Sequence, residues 1–146
     1  MQENEKKMGH SRELKFRAWD GEKMYYADDK QFGFQFRGDG EWGFCDFGTK
    51  MVYAESRKGA KLMQYTGRHD KNGKEIYEGD IVKWVYIQAF HTSDVFFVNG
   101  GFYCNTNGFI KDLVEWQGLG LITTLGCEII GNIYENPELS NNKEVK

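Results

Sequence analysis

The chain has 146 residues and a formal net charge of −3, a length that fits one domain or two small β modules. Aromatic residues make up 16% of the chain, glycine contributes 18 residues and Pro137 is the one proline, which is typical of β-strands joined by tight turns. Apolar runs such as residues 95–98 are far shorter than the roughly 20 residues that span a bilayer, and residues 1–12 lack the apolar segment of a secretory signal. We therefore predict a soluble cytoplasmic protein with no membrane partner.

The pattern of polar and apolar residues predicts four segments. Residues 1–12 and 140–146 are polar and of mixed charge, so we expect both tails to be disordered. Residues 13–62 form a predicted N-terminal aromatic-rich β region. Residues 63–139 form a predicted C-terminal barrel domain.

The N-terminal region opens with an alternating strand pattern. Leu14, Phe16 and Ala18 lie on one face of residues 14–19, and polar or large residues lie on the other, as expected of a half-buried strand. Residues 24–27 follow the turn pair Asp20-Gly21. Together they predict a first hairpin.

A second hairpin is rich in aromatic side chains, namely Phe32, Phe34, Phe36, Trp42 and Phe44. These residues are similar to the stacking platforms of single-strand binders, but five exposed aromatic side chains exceed what a monomer tolerates, which favours burial in the fold or against another subunit. The glycines of residues 38–43 match G-x-G-x-x-G, yet no helix follows to direct its N-terminus at a pyrophosphate. We interpret them as turn residues and expect no nucleotide cofactor.

Strong β signals continue through the C-terminal domain. Asn72-Gly73 predicts a type I′ turn between two strands, and Asn99, Gly100 and Gly101 predict another turn. Further strands are predicted at residues 81–87, 95–98, 102–104, 113–116 and 128–133. Residues 119–125 are the one candidate for a helical turn, although their β-branched Ile-Thr-Thr disfavours a helix. Short strands joined by glycine turns favour a closed small barrel.

The charges are unevenly distributed along the chain. Residues 57–74 carry six basic residues against Asp70, whereas residues 75–138 carry nine acids against two bases, which gives net charges of +5 and −7. The basic residues are Arg57, Lys58, Lys61, Arg68, Lys71 and Lys74. A solvated loop, a polyanion site and a contact between subunits all remain open as explanations.

Residues that could carry catalysis or bind metal are scattered. The three histidines have no metal-ligand spacing, and the three cysteines, Cys45, Cys104 and Cys127, lack C-x-x-C spacing and are interpreted as reduced core residues. Pairs such as His69 with Asp70, or His91 with Asp94, lie in predicted polar turns. Glu78 and Asp80 flank a glycine, and Asp80 is expected to accept a hydrogen bond from a turn amide. The sequence therefore predicts no metal, no cofactor and no enzymatic activity.

Four stretches are distinctive in their residues, order and spacing: KFRAWD at 15–20, LMQYTG at 62–67, DKNGKEIYEGDIV at 70–82 and CEIIGNIYENPEL at 127–139. They resemble the YopX family of phage and prophage proteins over residues 14–139. The resemblance implies a phage-encoded, mostly β protein of a bacterial host cell, with an SH3-like C-terminal barrel and a tendency to self-associate. The family has no assigned biochemical activity, and residues 26–57 match none of its motifs.

The sequence thus predicts a mainly β fold, with an N-terminal antiparallel β part and a C-terminal SH3-like small barrel. For function it favours a non-catalytic phage accessory protein that acts as a homo-oligomeric interaction or assembly module, with a phage or host protein as a further partner. The alternative is weak nucleic-acid binding by the basic residues of 57–74, which the acidic residues beyond them oppose.

Overall fold

The computed structural model describes residues 13–28, 30–105 and 116–140. Their strands are β1 (Phe16–Trp19), β2 (Met24–Tyr26), β3 (Phe32–Phe36), β4 (Trp42–Asp46), β5 (Val52–Glu55), β6 (Lys61–His69), β7 (Glu75–Tyr77), β8 (Asp80–Tyr86), β9 (Ala89–Val98), β10 (Gly101–Asn105), β11 (Trp116–Gly118) and β12 (Glu128–Asn132). A short helix, α1, spans Leu119–Thr124, and 3-10 turns occupy Ser56–Lys58 and Pro137–Leu139. Apart from Ser140, the predicted tails at 1–12 and 140–146 lie outside the described residues, as does the predicted strand at 113–116 apart from Trp116.

The described strands form three antiparallel sheets, which confirms the mainly β prediction. Their strand orders are β2-β1-β6-β7, β3-β4-β5 and β11-β10-β9-β8-β12. The candidate segment at 119–125 forms the short helix α1, despite its β-branched residues. The SH3-like character of the C-terminal part stays a prediction.

Strand β6 joins the two predicted regions of the chain. It runs through the boundary expected between residues 62 and 63, and it pairs with β1 on one side and β7 on the other. Residues from both sides of that boundary therefore share one sheet.

Two apolar clusters form the core. The larger lies beneath the five-stranded sheet and consists of Ile76, Val82, Trp84, Val95, Cys104, Leu119, Ile122 and Cys127. The smaller is centred on Ala18, Phe44 and Ala54, with the aromatic rings of the β3–β4 hairpin packed against it. All three cysteines are buried free thiols, as the sequence predicted.

Both faces of strand β1 are covered, although the sequence predicted one buried face. Ala18 is fully buried, while Leu14, on the same alternation, is exposed. On the opposite face Arg17 is buried because its guanidinium reaches Asp80 at the start of β8, with Nη2 and Oδ1 2.8 Å apart. An ion pair between distant strands cannot be predicted from a local period of two.

The turn at Asn72-Gly73 differs from the predicted type I′ geometry. Gly73 has a φ of +80°, but Asn72 is absent from the described non-glycine residues with positive φ. The Asp70 carboxylate accepts hydrogen bonds from the backbone N–H groups of Asn72 and Lys74, and the Gly73 N–H donates to the Asp70 carbonyl. The carboxylate thus stabilises a longer turn in which one left-handed residue suffices.

Candidate functional site

The tip of the β8–β9 hairpin carries a group of exposed apolar side chains. Val85 and Phe90 are cross-strand partners, and Ile87 lies in the turn that joins the strands. Their exposed fractions are 50%, 72% and 73%. Lys83 lies on the same face, with its Nζ 4.3 Å from the centre of the Phe90 ring. We call Lys83, Val85, Ile87 and Phe90 the hairpin tip.

The backbone of the hairpin tip is strained. Pairing continues to Tyr86 and Ala89, so a two-residue turn closes the hairpin. Ile87 and Gln88 have φ values of +46° and +61°, a left-handed region that glycine and asparagine adopt far more readily. Each such residue costs on the order of 1–3 kcal/mol. Strain of this kind is concentrated at binding and catalytic sites, which directs attention to this turn.

A cleft of about 750 Å³ opens between the sheet that contains β1, β2 and β7 and the edge strand β3. Its apolar wall includes Leu14, Phe16, Tyr26, Phe34 and Phe36. The Phe16 ring contacts the Phe36 ring across the two sheets, with centroids 5.2 Å apart. Leu14, Tyr26 and Phe36 are each more than half exposed. We call this feature the aromatic cleft.

Acidic side chains line the rim of the aromatic cleft, together with one lysine. The Lys15 ammonium lies 2.9 Å from Glu13 and 2.5 Å from Glu75, and it lowers the pKa of the Glu75 carboxyl below its usual range. Backbone N–H groups of residues 30–32 donate to the Asp28 carboxylate and lower its pKa as well. Three carboxylates against Lys15 leave the cleft with an excess of negative charge near neutral pH.

The structure divides the six predicted basic residues into two groups. Lys61 opens β6 and lies near Arg57 and Lys58 in the chain, while Arg68 is seven residues further along β6, at most about 23 Å away at about 3.3 Å per residue. Lys71 and Lys74 lie in the connection between β6 and β7. The six side chains therefore do not share one compact site.

Half of these basic residues contact acids of the same chain. Arg57 lies 3.9 Å from both Asp39 and Glu41, Lys58 lies 3.1 Å from Glu55, and Lys71 lies 2.8 Å from Glu128. The other three, Lys61, Arg68 and Lys74, form no salt bridge with any acidic residue that the structure describes. Internal pairing reduces the charge that a polyanion would meet.

The aromatic hairpin is mainly a core feature. Phe44 is buried, as predicted, and Phe32, Phe34 and Trp42 are partly buried against the smaller core cluster, whereas Phe36 is half exposed at the aromatic cleft. Gly38 and Gly40 lie in the β3–β4 turn, as predicted, where the Arg37 N–H donates to the Glu41 carbonyl and the Gly40 N–H donates to the Arg37 carbonyl. The prediction was wrong for Gly43, which lies in β4 and pairs with Gln35.

The candidate acid and base groups are held by structural contacts. Asp80 accepts a hydrogen bond from the Tyr77 N–H, as predicted, and also pairs with Arg17. Glu78 accepts from the Gln64 N–H, and burial raises its pKa. Within the described residues, no three His, Cys, Asp or Glu side chains are arranged to hold a metal ion.

Comparison with known proteins assigns the family. Residues 15–140 match the YopX protein family. This chain belongs to the YopX family. It is 30% identical over 131 residues to the SPbeta prophage-derived uncharacterized protein YopX of Bacillus subtilis, an alignment that covers 85% of this chain and 93% of that protein.

Two solved structures share the fold. The crystal structure of protein YopX from Bacillus subtilis superposes with a TM-score of 0.69 at 29% identity, over 86% of this chain and 96% of that one. The crystal structure of protein EF1440 from Enterococcus faecalis gives a TM-score of 0.54 at 27% identity, over 88% and 99% of the two chains. The resemblance inferred from the four motifs is thereby confirmed.

Sequence reasoning did not find the hairpin tip or the aromatic cleft, although nearly all of both lies within the YopX match. Residues 81–87 were predicted as one continuous strand, and apolar residues on both faces of a strand usually indicate burial.

No helix in the described part of the chain has both the length and the apolar character needed to cross a membrane.

Proposed function

We propose that this YopX family protein is a non-catalytic phage accessory protein that assembles with copies of itself in the cytoplasm of a bacterial host. The observation that carries the proposal is the exposure of two separate apolar surfaces, the hairpin tip and the aromatic cleft, on one small chain. Exposed apolar clusters of this kind mark protein contacts, and aromatic anchors supply most of the binding energy there. The three free thiols agree with a reducing compartment.

A non-catalytic role is supported by the state of the reactive side chains. Burial raises the pKa of the Cys127 thiol to about 11 and that of Cys104 further still, so both sulfurs stay protonated and poorly nucleophilic at neutral pH. Asp80 and Glu75 are engaged with Arg17 and Lys15. None of these groups has the nucleophile and base arrangement that group transfer needs.

Light scattering coupled to size-exclusion chromatography tests self-association. One chain has a mass of 17.0 kDa. We expect a larger mass that grows with protein concentration between about 1 and about 100 μM, the range in which a contact of moderate affinity forms. A constant mass of one chain across that range in physiological salt would contradict the proposal.

Weak nucleic-acid binding is the second candidate function, and the observation that favours it is the absence of salt bridges from Lys61, Arg68 and Lys74 to described acids. If these three side chains contact phosphates of a single strand, the logarithm of affinity falls against the logarithm of salt with a slope of about −2. Fluorescence anisotropy with labelled single-stranded DNA and RNA measures that slope. Absence of binding at low salt would leave self-association as the sole proposal.

A further inference from the structure

We propose that the hairpin tip of one copy occupies the aromatic cleft of a second copy, with Lys83 facing the carboxylates on the cleft rim. This inference rests on the proposed self-association and identifies the two surfaces that meet. It predicts a head-to-tail contact, because the two surfaces are different parts of the chain.

The hairpin tip has the properties of an inserting anchor. It presents two apolar side chains that are more than 70% exposed, Ile87 and Phe90, beside Val85. A two-residue turn makes it narrow, and its strained left-handed backbone holds Ile87 at the apex. A large apolar side chain at the centre of a contact typically dominates the binding energy.

The aromatic cleft complements the hairpin tip in both size and character. Its volume of about 750 Å³ lies within the range of clefts that enclose a ligand of several side chains. Leu14, Tyr26 and Phe36 present apolar surface that is now exposed to water, and burying it against Ile87 and Phe90 is favourable.

Charge also matches between the two surfaces. The tip carries Lys83, whose ammonium lies over the Phe90 ring, and the cleft rim carries Glu13, Asp28 and Glu75 against Lys15. An ammonium brought to this rim meets an excess of carboxylates. Two hairpin tips facing each other would instead bring two Lys83 side chains together, so like charge disfavours a tip-to-tip dimer.

The tip of a chain does not occupy the cleft of the same chain. Asp80, the first residue of β8, lies beside Arg17 of β1. Strand β1 also contains Phe16, which lines the cleft. Tyr86 ends β8 six residues later, about 20 Å further along at about 3.3 Å per residue. The occupant of the cleft is therefore the tip of another copy, and each copy offers one tip and one cleft. Repetition of this contact builds a ring if its rotation closes and a filament otherwise.

Single substitutions on each surface test the contact in the full-length chain. Phe90→Ser on the tip and Phe36→Ser in the cleft should each weaken self-association by about thirtyfold in sedimentation velocity experiments, the effect of removing an interface anchor. Val52→Ser is the matched control, because Val52 has a similar exposed fraction of 49% and lies on β5, outside both surfaces. Thermal unfolding verifies folding, and Leu14→Ser replaces Phe36→Ser if the latter does not fold.

Mixing the two variants distinguishes a head-to-tail contact from other modes of assembly. The tip variant keeps an intact cleft and the cleft variant keeps an intact tip, so an equimolar mixture should form a complex of twice the 17.0 kDa chain mass. Failure of the mixture to form it, or wild-type behaviour of Phe90→Ser, would overturn this inference while leaving self-association intact. A wild-type protein that stays monomeric would instead overturn the proposed function, and this inference with it.

Discussion

Arg17 in β1 and Asp80 at the start of β8 form an ion pair with both side chains 3% exposed. The Arg17 guanidinium also donates to the Glu78 carbonyl and lies 4.9 Å from the centre of the Tyr77 ring. Asp80 accepts from the Tyr77 N–H through its other oxygen. The pair therefore connects the four-stranded sheet to the five-stranded sheet.

Asp80→Asn should lower the free energy of unfolding by about 3 kcal/mol, because it leaves the buried Arg17 charge uncompensated. Urea denaturation followed by tryptophan fluorescence measures the change. Asp39→Asn is the control, since Asp39 is exposed and its contact with Arg57 spans 3.9 Å, so its cost should stay below about 0.5 kcal/mol. Equal denaturation midpoints for the two variants would refute a structural role for the pair.

Gly73→Val should destabilise the fold by about 1–2 kcal/mol through backbone strain, because Gly73 has a φ of +80°. A Cβ atom at this position meets no other atom within 4 Å, so a steric clash does not contribute. Gly38→Val is the matched control, since its added Cβ also faces open space and its φ is not positive. The expected order of thermal midpoints is wild type, then Gly38→Val, then Gly73→Val; a reversal of the two variants would count against the turn geometry.

Gln88→Gly should raise the free energy of unfolding by about 0.5–1 kcal/mol, because glycine relieves the left-handed strain at a φ of +61°. The same variant keeps Ile87 but loosens the apex, so self-association should become weaker as stability rises. Thermal unfolding and sedimentation velocity on one preparation measure both quantities. A loss of stability would show that the turn is not strained.

Lys83→Glu should weaken self-association, because it brings a carboxylate to the acidic rim of the aromatic cleft. Adding Glu13→Lys on the rim should restore part of the affinity, since the opposite charges are then exchanged. Raising the salt concentration from about 0.05 M to about 0.5 M should reduce the difference between these variants by screening. Concentration-dependent light scattering reports all three effects, and an unchanged affinity for Lys83→Glu would exclude this charge match.

Acid should destabilise the protein through Asp70. Burial raises the pKa of Asp70, but hydrogen bonds from the Ile129, Lys74 and Asn72 N–H groups outweigh it and lower the pKa below the ordinary value of 3.8. The unfolded chain therefore binds the proton first as pH falls, and the stabilisation is present above about pH 4 and lost below it. Asp70→Asn should reduce stability at pH 7 and flatten the loss between about pH 4 and about pH 2 in urea titrations. If Asp70→Asn lost as much stability in acid as the wild-type protein, Asp70 would not be the source of the acid sensitivity.

Local patterns in the sequence determined much of the architecture. Alternation of apolar residues located most strands, glycines located the β3–β4 turn and the turn after Val98, and motif spacing identified the family. These features depend on neighbours a few residues away, so they can be derived from a single chain. The turn type predicted at Gly73 was wrong, because the Asp70 carboxylate three residues earlier determines the turn geometry and the Asn-Gly pair does not.

Tertiary structure alone decided which faces are covered and which charged residues meet. Arg17 is buried because a strand more than sixty residues later brings Asp80 to it, and the six basic residues separate because β6 is extended between them. Val85 and Phe90 are exposed although both side chains are apolar, because no described element covers the end of that hairpin. Burial depends on contacts between distant segments, and a local period carries no information about them.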